Sequence, residues 1–465
     1  MEAVAVICWI IAVFSIVHNV WAILNIASAC RWIDSKRKAV LPKTASTEVV
    51  ILLPMFAEQG IAIDAIEHFL KMDYPRDRYR IVIVTTRRED HKHATTADRV
   101  AGFLREFDGE QVFHFSADGN DHCKADQLNQ AIAHLDREGP EWWNDDTIIG
   151  VYDADSRPEL HSLRDLDRAV SEYPLFVAFQ QPAMYLTNVE ILPSGFHGHY
   201  LRSRPLYNLR FCLYREFPGF WRSLKTCTAS KLWKTFASSP NHFLGHGEFV
   251  RRSALSTIGG FPPPSGDTSL GTVLSFLGGG IVPLSSFDLG ETPKDAWMLM
   301  RQAANWYAGC NLYGRDSQLA RQLGMQVNLR YAVMLFKRWL ENMVWALGPL
   351  LLLAVICWSI STMNVRLAFA CFGGAMLHLF TIVQVLKFAE RLKADNNFAS
   401  ELPVPSGMAR LAALAFYPLM LIGNCFGPLL YYGLLIKAGF SGSELPRPKT
   451  TRSADREEPE SSPHR

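Results

Sequence analysis

The sequence predicts an α/β protein: a mainly parallel sheet with helices on both faces, plus transmembrane helices, one N-terminal and about three C-terminal. Three observations predict it. Short, wholly apolar runs at 49–53 (VVILL), 81–84 (IVIV) and 147–152 (TIIGVY) end abruptly at Pro54, a charged loop and Asp153. Amphipathic stretches, as at 58–71 and 124–136, separate them, and strands that alternate with helices build a parallel sheet. Long apolar stretches flank this polar centre on both sides.

Residues 3–29 carry no charge. A bilayer core of about 30 Å needs about 20 apolar helical residues, so this stretch can span. It lacks the basic start of a secretory leader and exceeds the usual leader length, which favours an anchor. Within it, His18, Asn19 and Asn25 are polar and should face other helices. Arg31, Lys36, Arg37 and Lys38 follow, which places the centre in the cytosol by the positive-inside rule. Further spans are expected at 340–360, 364–387 and 410–436, and Lys337, Arg338, Lys387, Arg391, Lys393 and Arg410 lie where a cytosolic centre requires them. Residues 329–339 suit an interfacial helix leading into the first of these. The expected organisation is an N-terminal transmembrane helix (1–30), a cytosolic domain (31–332), C-terminal transmembrane helices (333–440) and a polar, disordered tail (441–465).

Composition narrows the function. A chain of 465 residues that is 49% hydrophobic and 20% charged is not disordered overall. A net charge of +2 lacks the basic excess of a nucleic-acid binder, so no nucleic acid is expected as a partner. Nine scattered cysteines without a C-x-x-C pair are neither a disulfide framework nor a zinc site, and fit a reducing compartment. Few spans, no internal repeat and no charge within them argue against a transporter.

In open α/β sheets, ligands bind beyond the carboxyl ends of the strands. The predicted strands deliver Glu58, the Glu89/Asp90 loop and the pair Asp153/Asp155 to that edge. Two carboxylates two residues apart can share Mg²⁺ or Mn²⁺, hard cations that prefer oxygen. They are also common in plain turns. Lys124, at a helix start, suits a phosphate contact or an ordinary surface position. Gly245-His246-Gly247 precedes the segment Gly266-Asp267-Thr268. Asp267 suits either a general base or a cap on a helix over 268–277. Trp306 suits stacking on a sugar or anchoring at an interface.

In order and spacing, these segments resemble the membrane-integrated inverting family-2 glycosyltransferases, which include cellulose, hyaluronan and chitin-oligosaccharide synthases and their non-processive relatives. The resemblance covers about residues 47–310 and implies a GT-A-like fold. Pro54-Met-Phe-Ala-Glu58 is similar to the family's P-x-Y-N-E opening, which implies that Phe56 stacks on the nucleotide base and Glu58 contacts the nucleoside. Cys123-Lys-Ala-Asp-Gln-Leu-Asn129 resembles G-K-A-x-x-L-N, making Lys124 a diphosphate contact. Asp153 and Asp155 match the D-x-D, with Asp155 the better direct metal ligand. Gly245 and His246 correspond to an acceptor-contacting segment. Asp267 matches the aspartate of T-E-D, the catalytic base. Gln302 and Trp306 match the ends of Q-x-x-R-W, a donor-side element.

The chain also departs from the family. The base-reading Asp of the second-strand loop is replaced by Glu89 or Asp90. The T-E-D glutamate is Gly266, and the Arg of Q-x-x-R-W is Asn305. The resemblance implies a membrane-bound hexosyltransferase. It would take a nucleotide sugar, UDP-linked in the synthases it most resembles, and a lipid or glycan acceptor, using Mg²⁺ or Mn²⁺. The altered Q-x-x-R-W and the aromatic, basic segment 195–235 favour one-step transfer to a lipid or lipid-linked acceptor. That segment suits a lipid-facing acceptor site or an amphipathic helix packed on the core. Two alternatives stand beside this reading: a processive or short-oligomer polysaccharide synthase, and an inactive scaffold or glycan-binding pseudo-enzyme.

Overall fold

A computed structural model describes residues 2–441 except Lys43, 90–93, 120–122, Thr228, Asn396, Asn397, 399–401 and Ser406. The polar tail expected over 441–465 therefore lies, beyond Ser441, outside the described residues.

Ten strands are described: β1 (Val49–Pro54), β2 (Tyr79–Thr86), β3 (Val112–Ala117), β4 (Ile148–Val151), β5 (Arg157–Pro158), β6 (Ala178–Gln180), β7 (Ala183–Met184), β8 (Glu248–Arg251), β9 (Val282–Pro283) and β10 (Asp288–Leu289). Seven form one sheet in the order β3-β2-β1-β4-β8-β6-β9, and β5-β10-β7 form a small second one. β3, β2, β1 and β4 pair in parallel, whereas β8 is antiparallel to both its neighbours.

The apolar runs are continuous because this sheet is covered on both sides. Side chains alternate across a strand. Val49, Ile51 and Leu53 therefore join Ile81, Ile83 and the helices Ala62–Leu70 and Ser162–Glu172 in one core. Val50 and Leu52 join Val82, Val84 and the helices Lys124–Glu138 and Gly266–Leu277 in the other. The predicted parallel sheet with helices on both faces is present.

Among the described residues, four helices are long and apolar enough to cross a membrane: Glu2–Arg37, Leu329–Ser361, Val365–Ala394 and Gly407–Lys437. Asn19 in the first is buried and donates to the carbonyl of Gly374 in the third at 3.2 Å. At that crossing a Cβ on Gly374 would come within 2.8 Å of Ser15 Oγ. The stretch 329–339 is no separate interfacial helix; it continues without a break into the second span. The fourth is interrupted between Gly423 and Phe426, at Asn424 and Cys425.

The segment 195–227 forms short helices, Gly195–Arg202, Arg204–Phe211 and Phe217–Cys227, with a π-helical turn at Cys212–Glu216. It packs against the spans: Leu206 shares a cluster with Ile382, Leu386, Ala413 and Tyr417. Its last helix also reaches the sheet core, where Phe220 joins the cluster of Val50, Leu52, Val82 and Val84.

Candidate active site

The parallel strands β1, β2 and β4 open their carboxyl ends on one edge. The reversed strand β8 begins at that same edge, because Glu248 lies opposite Val151. The Gly245–Gly247 turn is thus brought beside Asp153, although about 90 residues separate them in the chain.

Lys124 opens the helix Lys124–Glu138. Its Nζ donates to Asp153 Oδ1 at 2.7 Å and to the Gly245 carbonyl at 2.5 Å. Burial opposes its charge, but Asp153, Glu248 and Asp267 outweigh that and hold the ammonium above its ordinary range. Asp155 is buried, and its Oδ2 accepts from the backbone N–H of Glu291 at 3.1 Å.

Asp267 lies in the first turn of the helix Gly266–Leu277, where Ser265 holds the cap position. Its Oδ1 accepts from the Thr268 backbone N–H at 2.7 Å. Its Oδ2 faces Gly245 so closely that a Cβ there would lie 2.5 Å away. The positive φ of Gly245, 89°, is the second reason for glycine at this point.

His246 is buried. Its Nδ1 donates to Asp288 Oδ2 at 2.5 Å and its Nε2 meets the Tyr185 hydroxyl at 3.0 Å. Burial works against the imidazolium, but Asp288, with help from Asp153 and Asp155, raises the ring to about 8. Both ring nitrogens of His246 are therefore engaged within the site. Asp288 and Tyr185 had no sequence signal.

Glu248, two residues on, is 2% exposed, and its Oε2 has no hydrogen-bond partner. Burial, then the Asp267 carboxylate, raise it to about 8 against the pull of Lys124. Its place directly after Gly-His-Gly was its only sequence signal.

At the β1 end, Ala57 has φ of 58°, a left-handed conformation that costs a residue with a Cβ about 1–3 kcal/mol and clusters at functional sites. Glu89 holds this turn: Oε1 accepts from Ala57 N at 2.9 Å, and Oε2 from Gln59 Nε2 at 3.2 Å and Thr96 N at 2.7 Å. Its carboxylate thus shapes the loop that carries Phe56 and Glu58; Asp90 falls outside the described residues. The Phe56 ring lies under the Arg88 guanidinium at 4.9 Å, and the Glu58 backbone N–H donates to Thr96 Oγ1 at 3.0 Å.

Gln302 and Trp306 sit on the helix Ala296–Cys310. The Trp306 ring lies 5.9 Å from that of Tyr185 and 5.2 Å from the Arg204 guanidinium. Gln302 Oε1 is buried without a hydrogen-bond partner. Asp267, Tyr185 and Trp306 help to line a cavity of about 890 Å³, whose other walls include Phe14, Leu347, Leu351 and Leu352 of the first two spans.

Among the described residues no cluster of three or more His, Cys, Asp or Glu side chains is placed to hold a metal. The donors nevertheless fit one. Mg²⁺ is commonly held by one or two carboxylates with phosphate oxygens completing the shell.

Fold and site together define an α/β domain that carries an acid-lined, lysine-centred site and is joined to membrane-length helices. No family model matches the chain, and no curated protein matches it. Among solved structures, the chain is similar to the mannosyltransferase PcManGT from Pyrobaculum calidifontis in complex with GDP-Man and Mn²⁺, at 16% identity and a TM-score of 0.47, covering 91% of this chain and 99% of that one. It is also similar to S. aureus TarS 1-349 in complex with UDP-GlcNAc, at 11% identity and a TM-score of 0.40, covering 81% and 91%.

Proposed function

We propose that the protein is a membrane-bound inverting glycosyltransferase that moves a sugar from a nucleotide sugar, UDP-linked by preference, to a lipid or lipid-linked acceptor. The observation that carries this is the convergence of Lys124, Asp153 and Asp267 around Gly245, with Asp267 also lining the cavity that reaches the spans. A donor at the sheet edge and an acceptor from the membrane would meet there.

In this reading Phe56 and Glu58 hold the nucleoside, Glu89 fixes their loop, and Gln302 and Trp306 close the donor side. Asp267 takes the proton from the acceptor hydroxyl as it attacks the anomeric carbon. Lys124 stabilises the departing nucleoside diphosphate. Asp155, with Asp153, would hold Mg²⁺ or Mn²⁺, which when bound offsets the charge of the leaving diphosphate. One displacement inverts the anomeric centre without an enzyme nucleophile. Glu248 is protonated near neutral pH and so removes one negative charge from beside Asp267. His246, locked by Asp288 and Tyr185, holds the turn that positions Gly245. The catalytic domain, 31–332, lies on the cytosolic side, where nucleotide sugars are available, and the helices over 1–30 and 333–440 lie in the membrane.

The test uses the detergent-purified protein with a panel of nucleotide sugars and Mn²⁺ or Mg²⁺, reading nucleoside diphosphate release and organic-phase label. The expected result is metal-dependent release from one donor, one sugar added to an extractable acceptor, and loss of both in Asp155→Asn and Asp267→Asn. A ladder of products would replace single transfer by polymerisation. Failure to bind any nucleotide with or without metal would overturn the transferase and favour a scaffold.

A further inference from the structure

We infer that the acceptor carries an anionic phosphate group and that Arg204 receives it inside the cavity between the spans. This deepens the transferase reading and rests on it.

Arg204 is fully buried. A guanidinium keeps its charge in any protein environment. Its Nη1 donates to Asn424 Oδ1 at 2.5 Å, but its Nε and Nη2 have no hydrogen-bond partner. Among the described residues no carboxylate lies within ion-pair distance of it. The rings of Tyr207 and Trp306, each 5.2 Å from the guanidinium, offset part of the charge but accept none of its free N–H groups. Nε and Nη2 share one edge of the guanidinium plane, the fork that grips two oxygens of a phosphate. Arg204 lines the cavity, so the missing counter-ion has a place to come from.

A second feature points to the same place independently. The fourth span breaks at Asn424 and Cys425, near its middle. Irregular backbone at membrane depth is tolerated where it is buried in protein or lines a cavity. Asn424 lines this one. It is held there by Tyr207, whose hydroxyl accepts from Nδ2 at 2.7 Å, and by Trp345, whose Nε1 donates to the backbone carbonyl at 3.2 Å. The break therefore presents an amide to Arg204 and leaves the fork open.

The rest of the cavity explains why the phosphate belongs to a lipid. Among the described residues, Arg210 and Arg338 also line it without a carboxylate within ion-pair distance, whereas Glu341 is paired with Arg215; Glu216 and Asp267 are the other carboxylates on its walls. The four arginines of the lining (Arg204, Arg210, Arg215 and Arg338) thus outnumber its three carboxylates (Glu216, Asp267 and Glu341), among walls that are mostly apolar, such as Phe14 and Leu351. An anionic headgroup with hydrocarbon chains matches both parts.

The experiment measures the thermal unfolding midpoint of the full chain in uncharged detergent against dioleoyl phosphatidic acid, dioleoylglycerol, inorganic phosphate and UDP with Mn²⁺. Phosphatidic acid is expected to stabilise at concentrations where dioleoylglycerol and inorganic phosphate do not. Arg204→Gln should weaken that response by roughly tenfold or more, and weaken the UDP response less. Arg204→Lys, which keeps the charge but not the fork, should fall between. Equal stabilisation by dioleoylglycerol would overturn the inference, as would stabilisation by inorganic phosphate alone. So would an unchanged phosphatidic acid response in either variant. A loss of UDP binding as large as that of phosphatidic acid would assign Arg204 to the donor instead. Phosphatidic acid binding without any UDP response would keep the anion site and remove the transferase reading.

Discussion

Asp267 Oδ2 lies so close to Gly245 that a Cβ on the glycine would come within 2.5 Å of it. Two segments that the sequence separates thus form one wall of the site. Lys124 donates to the carbonyl of that same glycine, so the turn also sets the position of the lysine.

Gly245→Ala should therefore be a local but severe change. The new methyl would displace the Asp267 carboxylate, and the φ of 89° would be strained. A misplacement of about 1 Å can cost about 100-fold in rate. Steady-state turnover should fall by roughly that factor while the unfolding midpoint falls by only a few degrees. Normal turnover would show that Asp267 is not held by this contact.

Asp267→Asn should lower turnover by roughly 10²–10⁴-fold, the usual contribution of a general base. Donor affinity should change little, since the residue is assigned to the acceptor hydroxyl. Calorimetric titration with nucleoside diphosphate separates the two effects; near-wild-type turnover in a folded variant would remove Asp267 from catalysis.

Asp155→Asn and Lys124→Gln should act on the donor side. Each is expected to weaken nucleoside diphosphate binding by roughly tenfold or more, as loss of a charge-assisted contact does. Only Asp155→Asn should also abolish the difference between binding with and without Mn²⁺. Metal-dependent binding that survives in Asp155→Asn would place the cation elsewhere.

Glu248 predicts a pH signature. Its folded value of about 8 exceeds the ordinary 4.5, so between those values the folded state keeps a proton that the unfolded chain has released. Stability must then fall as pH rises across that window. His246, raised to about 8 from 6.5, adds stability at low pH that is also lost as pH rises through 8. Glu248→Gln removes the first effect and keeps the second. The unfolding midpoint of the variant should drop less than that of the wild type between about pH 5 and about pH 9. Parallel curves would mean that Glu248 is ionised in the folded protein.

Much of the sheet was legible from the chain alone. The runs 49–53, 81–84 and 147–152 are apolar at every position because parallel strands are buried on both faces, and each became a strand. The four membrane-length helices were legible for a similar reason: length and the absence of charge suffice. Lys124, Asp153 and Asp155 stood out because they follow such runs or open a helix. The break in the fourth span had no such signal, since Asn424 is a single polar residue in an apolar stretch.

The sequence alone determined three central strands of the sheet, which helices are membrane-length, and that carboxylates and a lysine crowd the sheet edge. Those features follow from local hydrophobic pattern and chain order. Only the tertiary structure decided that β8 runs backwards, which puts Gly245 against Asp267 and Glu248 beside both. It alone joined His246 to Asp288, and Arg204 to Asn424. The Gly245–Asp267, His246–Asp288 and Arg204–Asn424 contacts link residues 22, 42 and 220 positions apart. Close approach across such distances is set by how elements pack, and no local pattern of hydrophobicity or charge encodes it.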